Sequence, residues 1–401
     1  MRELCHISKN LYNVTLYSIR QHFFAEKKFL SYNSNYHHCK NNDNYKLLQA
    51  GVSQQVMRVV ERNFKSFFSL LELAKQGEYP KEKVKIPKYL PEDSYFSLVL
   101  STNAIKIKEG FVVIPLSRRF KKERSVLKNL RIPFPERLTG RTIKEIRIIP
   151  KHEARFFEIE YIYEQPYELH PVDPNKALSV DLGLNNLASF IATGGASFLI
   201  DGKHLKSINR WYNKENARLQ SIKDKQGIKG ITNLQARLLN RRNNRVRDCL
   251  NKTARYIINY CVLHGIGKIV VGHNPEWKQE INLGSRNNQN FVQIPHSSLI
   301  LKLRALCERY GIELVEQEES YTSKASFLDK DNIPVYNPEN KTEYTFSGKR
   351  VKRGLYRSRE GFLVNADTNG AANILKKSNH RLDFQRVARG LLANPLRVRL
   401  V

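Results

Sequence analysis

The chain has 401 residues, and its 68 Lys and Arg against 38 Asp and Glu leave a formal charge of +30. Such self-repulsion calls for an anionic partner, nucleic acid first, because each phosphate neutralised releases a counterion. No apolar run approaches the ~20 residues of a bilayer span. Signal-peptide and lipidation patterns are absent, and five scattered cysteines never form C-x-x-C, so no membrane, disulfide framework or Cys-based zinc site is expected, and a reducing cytoplasm fits.

Leu11 to about Gly77 reads as helical. "GVSQQVMRVVERNFKSFFSLLELA" sets Val52, Val56, Val60, Phe64, Phe67 and Leu71 on one stripe, a core-facing pattern. Arg58, Arg62 and Lys65 lie elsewhere on the wheel, as phosphate contacts or solvated charge. Residues 1–85 are the helical region. From about Ile86 the pattern turns to strands. "AIKIKEGFVVIPLS" predicts a hairpin around Lys-Glu-Gly, and "TIKEIRIIPKHEARFFEIEYIYE" predicts a second with "KHEA" at its tip. Residues 86–170 are read as a small β domain, closing in a proline-punctuated linker that ends near Lys176.

The remainder, 171–377, reads as α/β. "KALSVDLGLNN" is a buried strand and turn, "LASFIATGGASFLID" a hairpin, and long helices run to about Leu263. "IGKIVVGH" and "IELVEQ" are further strands, separated by a helix ending at Gly311, and "ADTNGAANILKK" is a closing helix. Three strands in meander, then helix and strand in alternation, is the order of an RNase H-like fold. The helices of 205–263 exceed that core and form an insertion. Residues 378–401, ending "PLRVRLV", read as a basic tail.

Three carboxylate positions end elements of this α/β unit. Asp181 closes an apolar strand, where a buried acid is costly unless paired or metal-bound; a turn-capping role is the other reading. Asp367 opens the last helix, and Asp is a favoured N-cap. Glu318 and Glu319 follow the fifth strand, where solvated acids are the norm. Together they could hold two Mg²⁺ ions, hard cations that take carboxylate oxygens and hydrolyse phosphodiesters in pairs. Arg237, Arg241, Arg242, Arg245 and Arg247 crowd the helix whose stripe is Leu239, Val246, Leu250, Ala254 and Ile257, and so few acids are interspersed that phosphate binding is expected. A second basic segment, "FSGKRVKRGLYRS", offers Lys349, Arg350, Arg353 and Tyr356; its aromatics stack on bases or anchor the loop.

"SVDLGLNNLASF" and "NADTNGAANIL" resemble the first and third RuvC motifs of TnpB proteins, nucleases encoded by insertion sequences and related to type V CRISPR effectors. "YTSKASF" is similar to the Tyr-Thr-Ser stretch after that family's fifth core strand. "CHISKNLYN", "NFKSFF" and the 86–164 strands resemble its recognition helices and wedge β-barrel. The resemblance implies an RNA-guided DNA endonuclease that binds an RNA from the transposon end and double-stranded target DNA, pairing supplying the sequence readout. It implies Asp181 and Asp367 as Mg²⁺ ligands, with Mn²⁺ as an alternative ion.

Two departures from the family pattern bear on that expectation. Gly272 stands in "IVVGHN" where the second-motif glutamate belongs, and Ser326 stands where the first zinc-ribbon cysteine belongs, with no cysteine beyond it. Zinc is therefore not expected. A subgroup with "EESYTSKASF" carries the catalytic glutamate on the fifth strand, which makes Glu318 or Glu319 the substitute; strand alternation admits only one facing Asp181, with Glu319 favoured. The alternatives are a nuclease-inactive, RNA-guided DNA-binding protein and a transposase or accessory transposition protein. The family usually begins with a barrel strand, so this N-terminus reads as shortened.

Overall fold

The computed structural model describes residues 1–274, 294–337, 342–380 and 392–400. It divides into two compact units, Met1–Gln165 with Ile231–Ala236, and Pro166–Gly230 with Arg237–Val401.

The first unit opens with helices α1 (Arg2–Glu26), α2 (Tyr32–Cys39), α3 (Asp43–Leu47) and α4 (Ala50–Lys75). Val52, Val56, Val60 and Phe64 of the α4 stripe are all buried, and Phe67 packs against their core. Six strands follow: β1 (Leu98–Ser101), β2 (Lys106–Lys108), β3 (Phe111–Ile114), β4 (Leu130–Pro133), β5 (Ile143–Lys151) and β6 (Phe156–Tyr163), with the short helix α5 (Arg118–Glu123) before β4. They pair as two three-stranded antiparallel sheets, β1-β5-β6 and β2-β3-β4, rather than one barrel. β4 ends at Pro133, which has no amide to extend a ladder. The helical region and the β domain expected as separate bodies share a single core. Leu4, Leu11 and Leu16 of α1 and Val56 and Val60 of α4 cluster with Leu98, Leu100, Ile146 and Ile148. Neither a two-helix layer nor a three-stranded sheet buries its apolar face alone.

The second unit is built on a six-stranded mixed sheet. Strands β7 (Asp173–Leu182), β8 (Asn186–Ala192) and β9 (Ser197–Asp201) form the expected meander, turning at Thr193–Gly195. Helices α6 (Lys203–Lys225) and α7 (Asn233–His264) follow, then β10 (Ile266–Gly272), α8 (His296–Tyr310) and β11 (Glu313–Gln317). β10 lies parallel to both β7 and β11. Three short strands, β12 (Lys349–Lys352), β13 (Leu355–Arg357) and β14 (Leu363–Asn365), make a separate small sheet before helix α9 (Ala366–Lys377). Last comes β15 (Leu396–Val398), so the strand order is β11-β10-β7-β8-β9-β15.

β15 corrects the reading of 378–401 as a tail. Its residues pair in parallel with Phe198–Ile200 of β9, and Leu392 is buried. An open strand edge is a template for any extended apolar segment, and the chain supplies one of its own. Residues 381–391 of that expected tail lie outside the described residues. One face of the sheet buries Leu178, Val180 and Phe190 against α6, α7 and α8. On the other face, α9 brings Ala371, Ala372, Ile374 and Leu375 onto Ala177, Ile191 and Val270. Burying Ile374 and Leu375 contributes about 1.5–3 kcal/mol each. The small residues bring this helix close enough for Ser179 Oγ to donate to the Ala371 carbonyl at 2.7 Å.

Among the described residues no helix is long and apolar enough to cross a membrane. All five cysteines are buried and free.

Candidate active site

The centre of the large sheet and the start of α9 define the site. Asp181 stands near the end of β7, paired in register with Ser189 of β8. Burial first, then the charges of Glu319 and Asp367, push its carboxyl well above the usual carboxylate range, with Arg350 opposing. Asp367 reaches the same place from α9. It is not that helix's N-cap: Asn365 Oδ1 accepts from the amides of Asp367 at 3.0 Å and Thr368 at 3.2 Å. Capping is done by Asn365, which leaves the Asp367 carboxylate for other partners. It accepts from Asn186 Nδ2 at 2.6 Å and faces Arg350 at 3.5 Å.

Two glycines make the approach possible. A Cβ at Gly370 would lie 2.6 Å from Asp181 Oδ2, so this turn of α9 touches the carboxylate only because it carries no side chain. A Cβ at Gly272 would lie 2.6 Å from Glu319 Oε2 and 2.5 Å from Ile374 Cδ1. The side-chain space at Gly272, where the TnpB pattern has its acid, is thus occupied by the carboxylate of Glu319 arriving from beyond β11.

The neighbours Glu318 and Glu319 have opposite surroundings. Burial, then the charge of Glu318, raises the Glu319 carboxyl, with His273 opposing. Its backbone is fixed on both sides, the amide donating to Asn274 Oδ1 at 3.1 Å and the carbonyl accepting from Thr322 Oγ1 at 2.8 Å. Burial would raise Glu318 too, but hydrogen bonds from Lys377 and Ser320 outweigh it and hold that carboxyl below its ordinary value. β11 ends at Gln317, so strand alternation does not reach these residues; the turn decides which acid faces the sheet.

The turn is clamped onto α9. Asn373 Nδ2 donates to the carbonyls of Thr322 and Ala325, both at 2.8 Å, Asn369 Nδ2 donates to Ala325 at 2.8 Å, and the Phe327 amide returns to Asn369 Oδ1 at 3.0 Å. Asn369 and Asn373 sit four apart on one helix face, a pairing not singled out in the sequence.

A cleft of about 420 Å³ opens beside Asp181 and Asp367. Lys203, Arg350, Arg353 and Arg397 line it. Of these, Arg350 and Arg353 were expected in a nucleic-acid role. Lys203 and Arg397 were missed, the latter because its strand was read as tail.

The other expected contacts scatter. In the first unit, Arg58 is exposed but lies 4.5 Å over the Tyr32 ring, and exposed Lys65 pairs with Glu61 at 3.4 Å. On α7, Arg237, Arg241 and Arg245 are exposed, and Arg241 sits 5.8 Å from the Trp211 ring. Arg242 does not belong with them. It is half-buried and donates to Asn209 Oδ1 at 2.8 Å and Asn243 Oδ1 at 2.9 Å, and burial lowers its pKa. Lys349 is exposed on β12. Tyr356 is buried, with its hydroxyl donating to the Lys324 carbonyl at 2.8 Å. It anchors the loop and has no face for a base, which corrects the stacking role.

The chemistry of the donor set fits a hard divalent cation: three carboxylates, two of them pushed toward protonation by burial and by neighbouring acids, a penalty a cation relieves. Among the described residues, no three His, Cys, Asp or Glu side chains are gathered as a ready metal-binding group. At the position of the family's zinc ribbon, Ser326 donates its amide to Asp331 Oδ2 at 2.8 Å, and Ser347 donates through its amide at 3.1 Å and its hydroxyl at 2.5 Å.

Residues 160–278 match a sequence family described as "Probable transposase" (OrfB of the IS605 type). A TnpB-like protein, ORF457 of Acidianus two-tailed virus, is 25% identical over 94% of this chain and 83% of its own. The chain is thus similar to a TnpB-like protein over most of its length. Among solved structures it is similar to the protein of a Cas12f1–sgRNA–target DNA complex, with a TM-score of 0.58 at 16% identity, covering 93% of this chain and 81% of that one. This likeness shows the fold, a mixed α/β architecture common to the two.

Proposed function

We propose that this chain is a TnpB-like, RNA-guided DNA endonuclease of an insertion sequence, with an RNase H-like nuclease domain that hydrolyses phosphodiesters with divalent metal. One observation carries the reading: the Glu319 carboxylate occupies the space over Gly272, beside Asp181, with Asp367 completing the group of acids. On this reading the acid missing from the second motif is replaced from the turn that follows β11.

Asp181, Glu319 and Asp367 would hold Mg²⁺ or Mn²⁺. Bound there, such ions would supply Lewis-acid activation of a water and charge stabilisation of the leaving oxygen. The chain's own residues do the rest. Lys203, Arg350, Arg353 and Arg397 draw a phosphate backbone into the cleft, and Gly370 lets α9 approach Asp181 without a side chain between them. The partners of the Cas12f1 protein, a single-guide RNA and target DNA, support a guide RNA and double-stranded DNA here, as does the charge of +30. A transposon-end origin for that RNA accords with the family.

The test is cleavage of guide-matched DNA by protein copurified with its RNA in Mg²⁺. Wild type should cut, and Asp181→Ala should retain RNA without cutting. Equal cutting by Asp181→Ala would remove the assignment. Guided binding by wild type with no cleavage in Mg²⁺ or Mn²⁺ would instead support the nuclease-inactive reading that Gly272 motivates.

A further inference from the structure

Glu318 and Lys377 form a charged pair the nuclease reading does not use. Lys377 is the last residue of α9, and its side chain is 6% exposed. An ammonium has three protons to donate, and all three are engaged: by Glu318 Oε2, by the Ser320 carbonyl at 3.1 Å and by the Pro334 carbonyl at 3.0 Å. The second Glu318 oxygen, Oε1, accepts from the Ser320 amide at 2.8 Å. Both carboxylate oxygens are therefore held by Lys377 and by the turn's own backbone.

The flanks of Glu319 are thus held on each side. Glu318 before it and Ser320 after it are bound to one buried ammonium at the end of the same helix that carries Asp367 at its start. With the backbone so fixed, the Glu319 carboxylate lies over Gly272, where its charge acts on Asp181. Building on the metal-site reading above, we infer that the Glu318–Lys377 pair is a positioning clamp. It sets the carboxylate of Glu319 in the site, and Glu318 itself is no ligand. The adjacent acids divide the labour, one for position and one for chemistry. Groups that orient metal ligands from behind typically matter 10–100-fold in metal affinity.

The experiment is Mn²⁺ titration of the full chain followed by electron paramagnetic resonance, scoring the binding that Asp181→Ala removes, with circular dichroism as the check on folding. Lys377→Met should weaken that binding about 10-fold or more, and Lys377→Arg, which keeps the charge, should recover part of it. If Glu318 were a ligand, freeing it by Lys377→Met would leave binding unchanged or tighten it, and either result overturns the clamp. Should Lys377→Met fail to fold, Glu318→Gln decides: partial weakening supports the clamp, and loss as complete as in Glu319→Gln overturns it. A lowered melting temperature with unchanged Mn²⁺ affinity in these variants also overturns it. Absence of Asp181-dependent binding in wild type removes the metal-site reading, and the clamp with it.

Discussion

Two parts of the second unit use carboxylates in opposite ways. In the segment after Ser320, each structural acid is supplied with donors. Asp331 accepts from Ser326 and twice from Ser347, and Asp329 accepts from the Arg359 amide at 2.8 Å. In the acid cleft, among the described residues, nothing donates a hydrogen bond to the carboxylates of Asp181 or Glu319, and both are pushed up by burial and like charge. A satisfied carboxylate closes a loop, whereas one left short of donors keeps its oxygens for a cation or a proton. The first arrangement stabilises the fold, and the second costs stability.

Substitution at each region sharpens that contrast. Glu319→Gln should abolish guided cleavage in Mg²⁺, while Glu318→Gln should reduce it about tenfold, as expected for a residue acting through its neighbour; full activity of both in the same assay would return the pair to solvated surface. Gly370→Ala puts a methyl 2.6 Å from Asp181 Oδ2, and a displacement near 1 Å costs about 100-fold in rate. The same change in an exposed helix interior would stabilise by ~1 kcal/mol, so kinetics and melting temperature together separate crowding from propensity.

In the loop region, Asp331→Ala leaves the amides of Ser326 and Ser347 and the Ser347 hydroxyl without their acceptor. It should cost about 1–3 kcal/mol by thermal or denaturant unfolding. Asp181→Asn should go the other way. Because the folded chain binds a proton at Asp181 more tightly than the unfolded one, this group's contribution is fully present below the ordinary carboxylate pKa and is lost as pH rises through the folded value. Metal-free Asp181→Asn should therefore melt higher than wild type near neutral pH, with the difference shrinking toward acid; a lower melting temperature at pH 7 would contradict the unpaired-acid picture. The smallest effect is expected of Tyr356→Phe, which loses one hydrogen bond to Lys324 worth roughly 1 kcal/mol and should leave RNA retention unchanged in a filter-binding assay.

The sequence alone determined the elements whose pattern is local. Strand alternation and turn chemistry gave the β7–β8–β9 meander and the β5–β6 hairpin, and helical spacing gave the α4 and α7 stripes. It also determined that three acid positions end elements of one unit, because each stands beside an apolar run that must be buried. Composition determined the anionic partner as an expectation.

Tertiary structure decided what depends on residues far apart in the chain. That β15 closes the sheet edge rather than trailing as a tail follows from the free edge of β9, which no local pattern reports. That Asn365 caps α9 and frees Asp367 is nearly legible, since Asn and Asp are both good caps two residues apart, but only the fold chooses between them. That Tyr356 and Arg242 point inward was hidden because a Tyr or Arg on a basic stretch reads alike whether it faces base, solvent or core. The choice between Glu318 and Glu319 was least legible of all. It rests on a lysine about sixty residues on, at the far end of a helix, and on the absence of a side chain at Gly272, because side-chain direction in a turn is fixed by what the turn is packed and bonded against.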